Sequence, residues 1–79
     1  MFHVYILKSI NFPTTMYIGY STNLKQRLIE HNNGKSIYTS KYRPWQLEAC
    51  ITFKEKSKAI AFEKYLKSGS GRAFSKKDF

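Results

Sequence analysis

Arg27 and His31 stand one helical turn apart in the segment NLKQRLIEH. With Leu24 and Leu28 they form the set i, i+3, i+4, i+7, the stripe that a helix normally turns towards a core. A guanidinium and an imidazole beside two leucines allow two arrangements. In one, the helix is simply amphipathic and Arg27 snorkels from the edge of its stripe. In the other, that edge lines a cleft, where the arginine neutralises phosphate charge and the histidine positions or moves a proton. Tyr5 and Tyr17 add two hydroxyls. Each is an ordinary strand residue, and both reach one surface only if the register of their strands suits.

Phosphodiester cleavage commonly enlists a divalent cation, and Mg²⁺ requires at least one carboxylate. The chain has only five acidic residues. Asp78 is penultimate, Glu55 falls in a turn, Glu48 lies in a strand beside a basic loop, and Glu30 points away from the Leu24/Leu28 stripe by helical phase. Glu63 sits on the flank of an Ala59, Phe62, Leu66 stripe, where a side chain can enter a cleft. Lys67, four residues on, offers the plainer alternative of an i,i+4 ion pair.

The elements that must hold these groups follow from patterning. FHVYILKS alternates, with Phe2, Val4 and Ile6 on one face and His3, Tyr5 and Leu7 on the other, so it is predicted as a strand. INFPTT carries turn signals. MYIGY is a second strand, antiparallel to the first, in which Gly19 marks a bulge or a close backbone approach. Ser21 or Thr22 is expected to cap a helix over about 23–33, which NNG ends. GKSIYTSKYRP reads as a basic loop and WQLEACITF as a third strand buried in its middle, with Cys50 a buried small hydrophobe. Residues 54–57 form a connection whose Ser57 caps a second helix to about Lys67, stopped by the GSG at 69–71. RAFSKKDF is expected to form a short final helix. The whole is an α+β fold: one domain over 1–79, order ββαβα plus a short basic C-terminal segment, its helices packed on a three-stranded antiparallel sheet.

Charge narrows the function. Fourteen Lys and Arg against five Asp and Glu give a net +9. A small domain this basic is a nucleic-acid candidate on electrostatics alone. Its cations are spread along the chain and interleaved with Tyr and Phe, which fits phosphate contacts and stacking better than a membrane surface. The longest apolar runs are VYIL and AIAF, too short for a transmembrane helix or a secretory signal. The single cysteine provides no disulfide framework and no zinc spacing. A cytoplasmic protein is the expectation.

VYIL, then YIG at 17–19, then a helix carrying NLKQRLIEH, resembles the GIY-YIG nuclease superfamily. The likeness is to its small stand-alone bacterial members, related to the amino-terminal nuclease domain of UvrC. It runs on through YRPWQL, FEKYLKS and GSGRAFSKK, so it covers nearly the whole chain. Under this resemblance Tyr5 and Tyr17 match the tyrosines of the two motifs and Gly19 the motif glycine. Arg27 matches the catalytic arginine, His31 the frequent active-site histidine and Glu63 the metal ligand. Two positions depart from the pattern. The first motif reads HVY, with His3 where the family has Gly, and no Asn follows position 33.

The resemblance implies a metal-dependent endonuclease hydrolysing DNA, with Mg²⁺ or Mn²⁺ on Glu63 and a setting in DNA repair or recombination. One of the two tyrosines is expected to orient or deprotonate the attacking water, its hydroxyl made more acidic by a neighbouring cation. Arg27 would stabilise charge growing on phosphate, and His31 would orient a tyrosine or the phosphate, or relay a proton. Gly19, Lys35, Lys41, Arg43, Lys67, Arg72, Lys76 and Lys77 are the candidate nucleic-acid contacts, which carry affinity rather than sequence information. With no appended recognition domain expected, little sequence specificity follows. The alternatives are an inactive nucleic-acid-binding module and a nuclease acting on RNA. Single-stranded, double-stranded and branched DNA are all open as substrates, as are a monomer and a weak dimer.

Overall fold

The alternation in FHVYILKS becomes β1 (Phe2–Ser9), the central strand of a three-stranded antiparallel sheet in the order β2-β1-β3. The computed structural model describes residues 1–69 and 71. β2 is Met16–Ser21, α1 Leu24–Asn32, α2 Ile37–Ser40, β3 Trp45–Phe53 and α3 Lys56–Lys67. The expected ββαβα order is present, with one extra helical turn, α2, inside the segment read as a loop. The final helix, Arg72, Lys76, Lys77 and Asp78 lie outside the described residues.

Register places the chemistry. Tyr5 pairs with Gly19 and Leu7 with Tyr17, so both tyrosines share one face of the sheet. Phe2, Val4 and Ile6 take the other face and pack with Ala59, Phe62 and Leu66 of α3. α1 covers the tyrosine side, where Leu24 and Leu28 pack on Tyr5, Leu7 and Trp45.

β3 departs from expectation. It is an edge strand, and of its residues only Trp45 is buried. Its register on β1 shifts between Ile6 and Leu7, whose partners are Ala49 and Leu47, leaving Glu48 as the extra residue of a bulge. Cys50 is exposed rather than buried. It pairs with Tyr5 across the ladder but points to the α1 side, which is uncovered at this edge.

Both helix starts also differ. Asn23 caps α1, its side chain accepting from the Gln26 amide at 3.2 Å, while Ser21 accepts from the Asn23 amide at 2.9 Å and so shapes the turn before the cap. α3 begins at Lys56, with Glu55 at the cap position, so Ser57 lies within the first turn. α2 forms because its segment buries Thr39, and a helical turn satisfies the backbone around it. The Ser40 amide donates to the Ser36 carbonyl at 2.9 Å, and the Trp45 indole donates to the Thr39 carbonyl at 2.9 Å. Among the described residues no helix is long and apolar enough to cross a membrane.

Candidate active site

Tyr5 stands at the middle of the central strand and is 1% exposed. Its partner Gly19 makes room for it: a Cβ there would run into the Tyr5 ring and hydroxyl. Gly19 is therefore buried beneath Tyr5 and does not offer its backbone to a ligand, which corrects its reading as a nucleic-acid contact.

α1 brings His31 over the Tyr5 hydroxyl. The two meet at 3.0 Å through Nε2, and the other ring nitrogen, Nδ1, lies 2.8 Å from the Thr39 hydroxyl of α2. Tyr17 packs its ring on the imidazole with centroids 4.9 Å apart. His31 is fully buried, so the expectation that it lines an open border with Arg27 fails for the histidine. The reason is phase: His31 continues the Leu24/Leu28 stripe and lands between the sheet and α2 rather than at the helix edge.

Arg27 does occupy that edge, its side chain 37% exposed. It ion-pairs with Glu30 at 2.8 Å, and Gln26 donates to the same carboxylate at 3.3 Å. Glu30 points away from the leucines as expected, yet i,i+3 spacing sets it beside Arg27. The Arg27 hydrogen bond pulls the Glu30 carboxyl below its ordinary value, with Gln26 assisting.

Burial and charge set the protonation states. Desolvation pushes the Tyr5 hydroxyl above its ordinary value of 10.0, with Arg27 opposing through a hydrogen-bonding interaction and its charge. The expected acidification by a cation thus exists at Tyr5 but is outweighed by burial. Desolvation, then the Arg27 charge, holds His31 below its ordinary 6.5. Both are neutral at pH 7. A neutral imidazole has one N–H and one lone pair. Each ring nitrogen therefore has one hydroxyl partner, Tyr5 at Nε2 and Thr39 at Nδ1, so one hydroxyl donates to the ring while the ring donates to the other.

Glu63 is not part of this knot. It sits on α3, the helix packed on the other face, with its side chain 20% exposed and Lys67 bound at 3.2 Å. Its link to the tyrosine side is electrostatic, as the last of the influences raising the Tyr5 pKa. Lys67, one of the expected nucleic-acid contacts, is engaged by this carboxylate. Among the described residues no group of three or more His, Cys, Asp and Glu is placed to hold a metal. A lone, largely buried carboxylate whose partner is a flexible lysine suits a hard cation that keeps most of its waters. It does not suit zinc, which needs nitrogen or sulfur donors.

Lys35, Lys41 and Arg43 are exposed on the segment between α1 and β3, and among the described residues none of them makes an ion pair. This segment turns at Gly34, whose φ of 76° lies in the left-handed region, and the Arg43 guanidinium lies against it. The structure therefore brings together Tyr5, Tyr17, Arg27 and His31, with the three cations on the adjoining segment and with Glu63 acting on Tyr5 through its charge rather than through a hydrogen bond. Sequence reasoning missed Thr39 and Glu30. Glu30 was findable from i,i+3 spacing, whereas a threonine in a polar loop gives no sign of burial.

Residues 1–77 match the family described as GIY-YIG catalytic domain. The chain is similar to the structure-specific endonuclease subunit SLX1 of Debaryomyces hansenii, 36% identical over 66 residues, covering 76% of this chain and 19% of that protein. It is 41% identical over 54 residues to a UPF0213 protein of Lactococcus lactis subsp. cremoris, covering 67% of this chain and 55% of the relative. A UPF0213 protein of Streptococcus pyogenes serotype M3 is 35% identical over 72 residues, covering 90% of this chain and 76% of the relative. The chain thus spans a small part of the first relative and about half of the second.

Proposed function

The chain belongs to the GIY-YIG catalytic-domain family, and from that premise we propose that it is a metal-dependent endonuclease hydrolysing phosphodiester bonds in DNA with little sequence preference. The observation that carries the reading is the Tyr5 hydroxyl held 3.0 Å from His31, with Arg27 close enough to act on it, on a face adjoining Lys35, Lys41 and Arg43, none of which makes an ion pair among the described residues. Arg27 directs one nitrogen to Glu30 and keeps further N–H groups for a phosphate oxygen, where they oppose the charge that grows in the transition state. Tyr5 is buried and committed to His31, so it positions. Tyr17, half-buried with its ring on the imidazole, is the tyrosine that meets solvent and orients the attacking water. Thr39 holds the second ring nitrogen of His31 and so fixes the orientation of the imidazole towards Tyr5. Glu63 would hold Mg²⁺ or Mn²⁺, which supplies Lewis-acid polarisation of the phosphate when bound. Lys35, Lys41 and Arg43 contribute affinity through the DNA backbone.

A second reading, a binding module without turnover, is favoured by one observation: Glu63 is already neutralised by Lys67. A nicking assay on DNA and RNA, with and without Mg²⁺ or Mn²⁺, separates the two. Wild-type protein should cut DNA only with metal, and Glu63→Gln should lose cleavage while keeping or gaining DNA affinity. Metal-dependent cutting by a clean Glu63→Gln preparation rules out the ligand assignment. Wild-type binding without cutting leaves the module, and preference for RNA moves the substrate class.

A further inference from the structure

Beside the catalytic tyrosine an aromatic strip leads out to solvent, and none of its outer rings has a part in the chemistry above. Tyr17 meets Tyr38 at 6.1 Å between centroids, Tyr38 meets Tyr42 at 5.7 Å, and Tyr42 meets Phe12 edge-on at 5.5 Å. Two of the three rings beyond Tyr17 are open: Tyr38 is 53% and Phe12 49% exposed. Rings recruited only to fill a core would not leave half their surface in water.

The strip is also held rigid. Tyr42 packs on the buried Trp45, whose indole ties down the Thr39 carbonyl at 2.9 Å. The Tyr42 carbonyl accepts from Ser9 at 2.6 Å, and Thr39 in turn touches His31. Tyr38 thus rides on a turn bolted to the site on one side and to β3 on the other. Lys35, Lys41 and Arg43 lie on the same short segment. Exposed, fixed aromatic faces among exposed cations match one kind of occupant: a strand whose phosphates meet the cations while its bases stack on the rings. A duplex keeps its bases stacked internally and cannot use such faces.

We propose that Tyr38, Tyr42 and Phe12 form a stacking site for unpaired bases, so that the segment of DNA leading to the scissile phosphate is single-stranded. The proposal rests on the nuclease reading for its orientation towards Tyr17, and its test does not need turnover. Fluorescence anisotropy in EDTA compares three labelled probes: an oligothymidylate, an abasic strand of equal length, and a duplex. Wild-type protein should prefer the oligothymidylate over the abasic strand by roughly tenfold, the scale of one stacked base. Tyr38→Ala and Phe12→Ala should each erase much of that preference while leaving abasic affinity unchanged, and Tyr38→Trp should preserve it. Melting curves confirm that the variants fold.

Equal wild-type affinity for the two single strands overturns the proposal, as does a Tyr38→Ala effect that is the same on both. If Tyr38→Ala instead changes the solution mass by light scattering and spares the preference, the strip is an interface between copies and the proposal fails. A protein that shows the preference but never cuts with metal keeps this site and sinks the nuclease reading. A protein that cuts without the preference does the reverse.

Discussion

The two faces of the sheet are built on different physics. On the α3 side, Val4, Ile6, Ala59 and Leu66 are all fully buried hydrocarbon. On the α1 side, Tyr5, Leu7 and Trp45 share the interior with His31, Thr39 and Ser9, each exposed by 1% or less among these polar three. Burying such groups is costly unless they are hydrogen-bonded. They are: Tyr5 to His31, His31 to Thr39, the Trp45 indole to the Thr39 carbonyl and Ser9 to the Tyr42 carbonyl. Hydrocarbon packing is non-directional and accepts any partner of the right volume. A chain of hydrogen bonds accepts one orientation only. One face therefore holds the fold together, and the other spends its interior fixing where a hydroxyl and an imidazole point.

The largest separation of the two faces should come from Leu66→Ala set against Arg27→Ala. Leu66→Ala opens a cavity in the hydrocarbon face and should cost about 2–5 kcal/mol of stability. Arg27 is over a third exposed and its ion pair with Glu30 is a surface i,i+3 pair, worth little. Arg27→Ala should melt close to wild type while cutting roughly 10²–10³-fold more slowly. Denaturant unfolding beside nicking rates reads both. If the arginine variant unfolds as readily as the leucine variant and cuts normally, the division of labour is wrong.

How much of this was legible in the sequence divides along the same line. The strands, α1 and α3 follow from apolar periodicity, and so does the assignment of Val4 and Ile6 against Tyr5 and Leu7, because burial of hydrocarbon imprints a period. Arg27 at the helix edge was legible too. His31 was not, since a polar residue in an apolar stripe reads as an edge residue until the hydrogen-bond partners that permit its burial are known. Those partners, Tyr5 and Thr39, lie 26 and 8 residues away in sequence. The exposure of Cys50 had the same cause in reverse. EACITF has the composition of a buried strand, but strand order decides who is covered, and the order put β3 at the edge.

A smaller effect sharpens the claim that the polar face acts as one unit. Tyr5→Phe leaves His31 Nε2 without its partner, and Thr39→Val does the same at Nδ1. Each should cost about 1–3 kcal/mol, the range for an orphaned buried polar group. Because both act through one imidazole, the double variant should cost less than the sum. Chemical denaturation of the four proteins closes the cycle. Strict additivity would mean that His31 does not connect the two hydroxyls.

The smallest effect is the dependence of stability on pH, and its shape distinguishes the faces without touching the chemistry. His31 has a folded pKa below its ordinary 6.5, because burial and the Arg27 charge disfavour the imidazolium. Near and below pH 6.5 the unfolded chain binds the proton that the folded chain refuses. His31 therefore contributes stability that is present above about 6.5 and is lost as pH falls towards the depressed folded value. Tyr5 has the opposite sense. Its folded pKa lies above 10.0, so its contribution is present below pH 10 and is lost as pH rises past that point. Glu30, lowered from 4.5 by Arg27, loses its contribution only at more acid pH, outside the histidine window. Wild-type unfolding free energy, read by chemical denaturation, should thus be level from about pH 7 to 9 and decline on both sides, by no more than ~1.4 kcal/mol per pH unit for each single group. His31→Gln should flatten the decline between pH 6.5 and 5, and Tyr5→Phe the one above pH 10. Leu66→Ala should lower the curve throughout and leave its shape alone, because the residues buried on the hydrocarbon face, Val4, Ile6, Ala59 and Leu66, carry no ionisable group. An acid limb that survives intact in His31→Gln would show that the imidazole is not held neutral by its burial, and the contrast between the two faces would lose its electrostatic half.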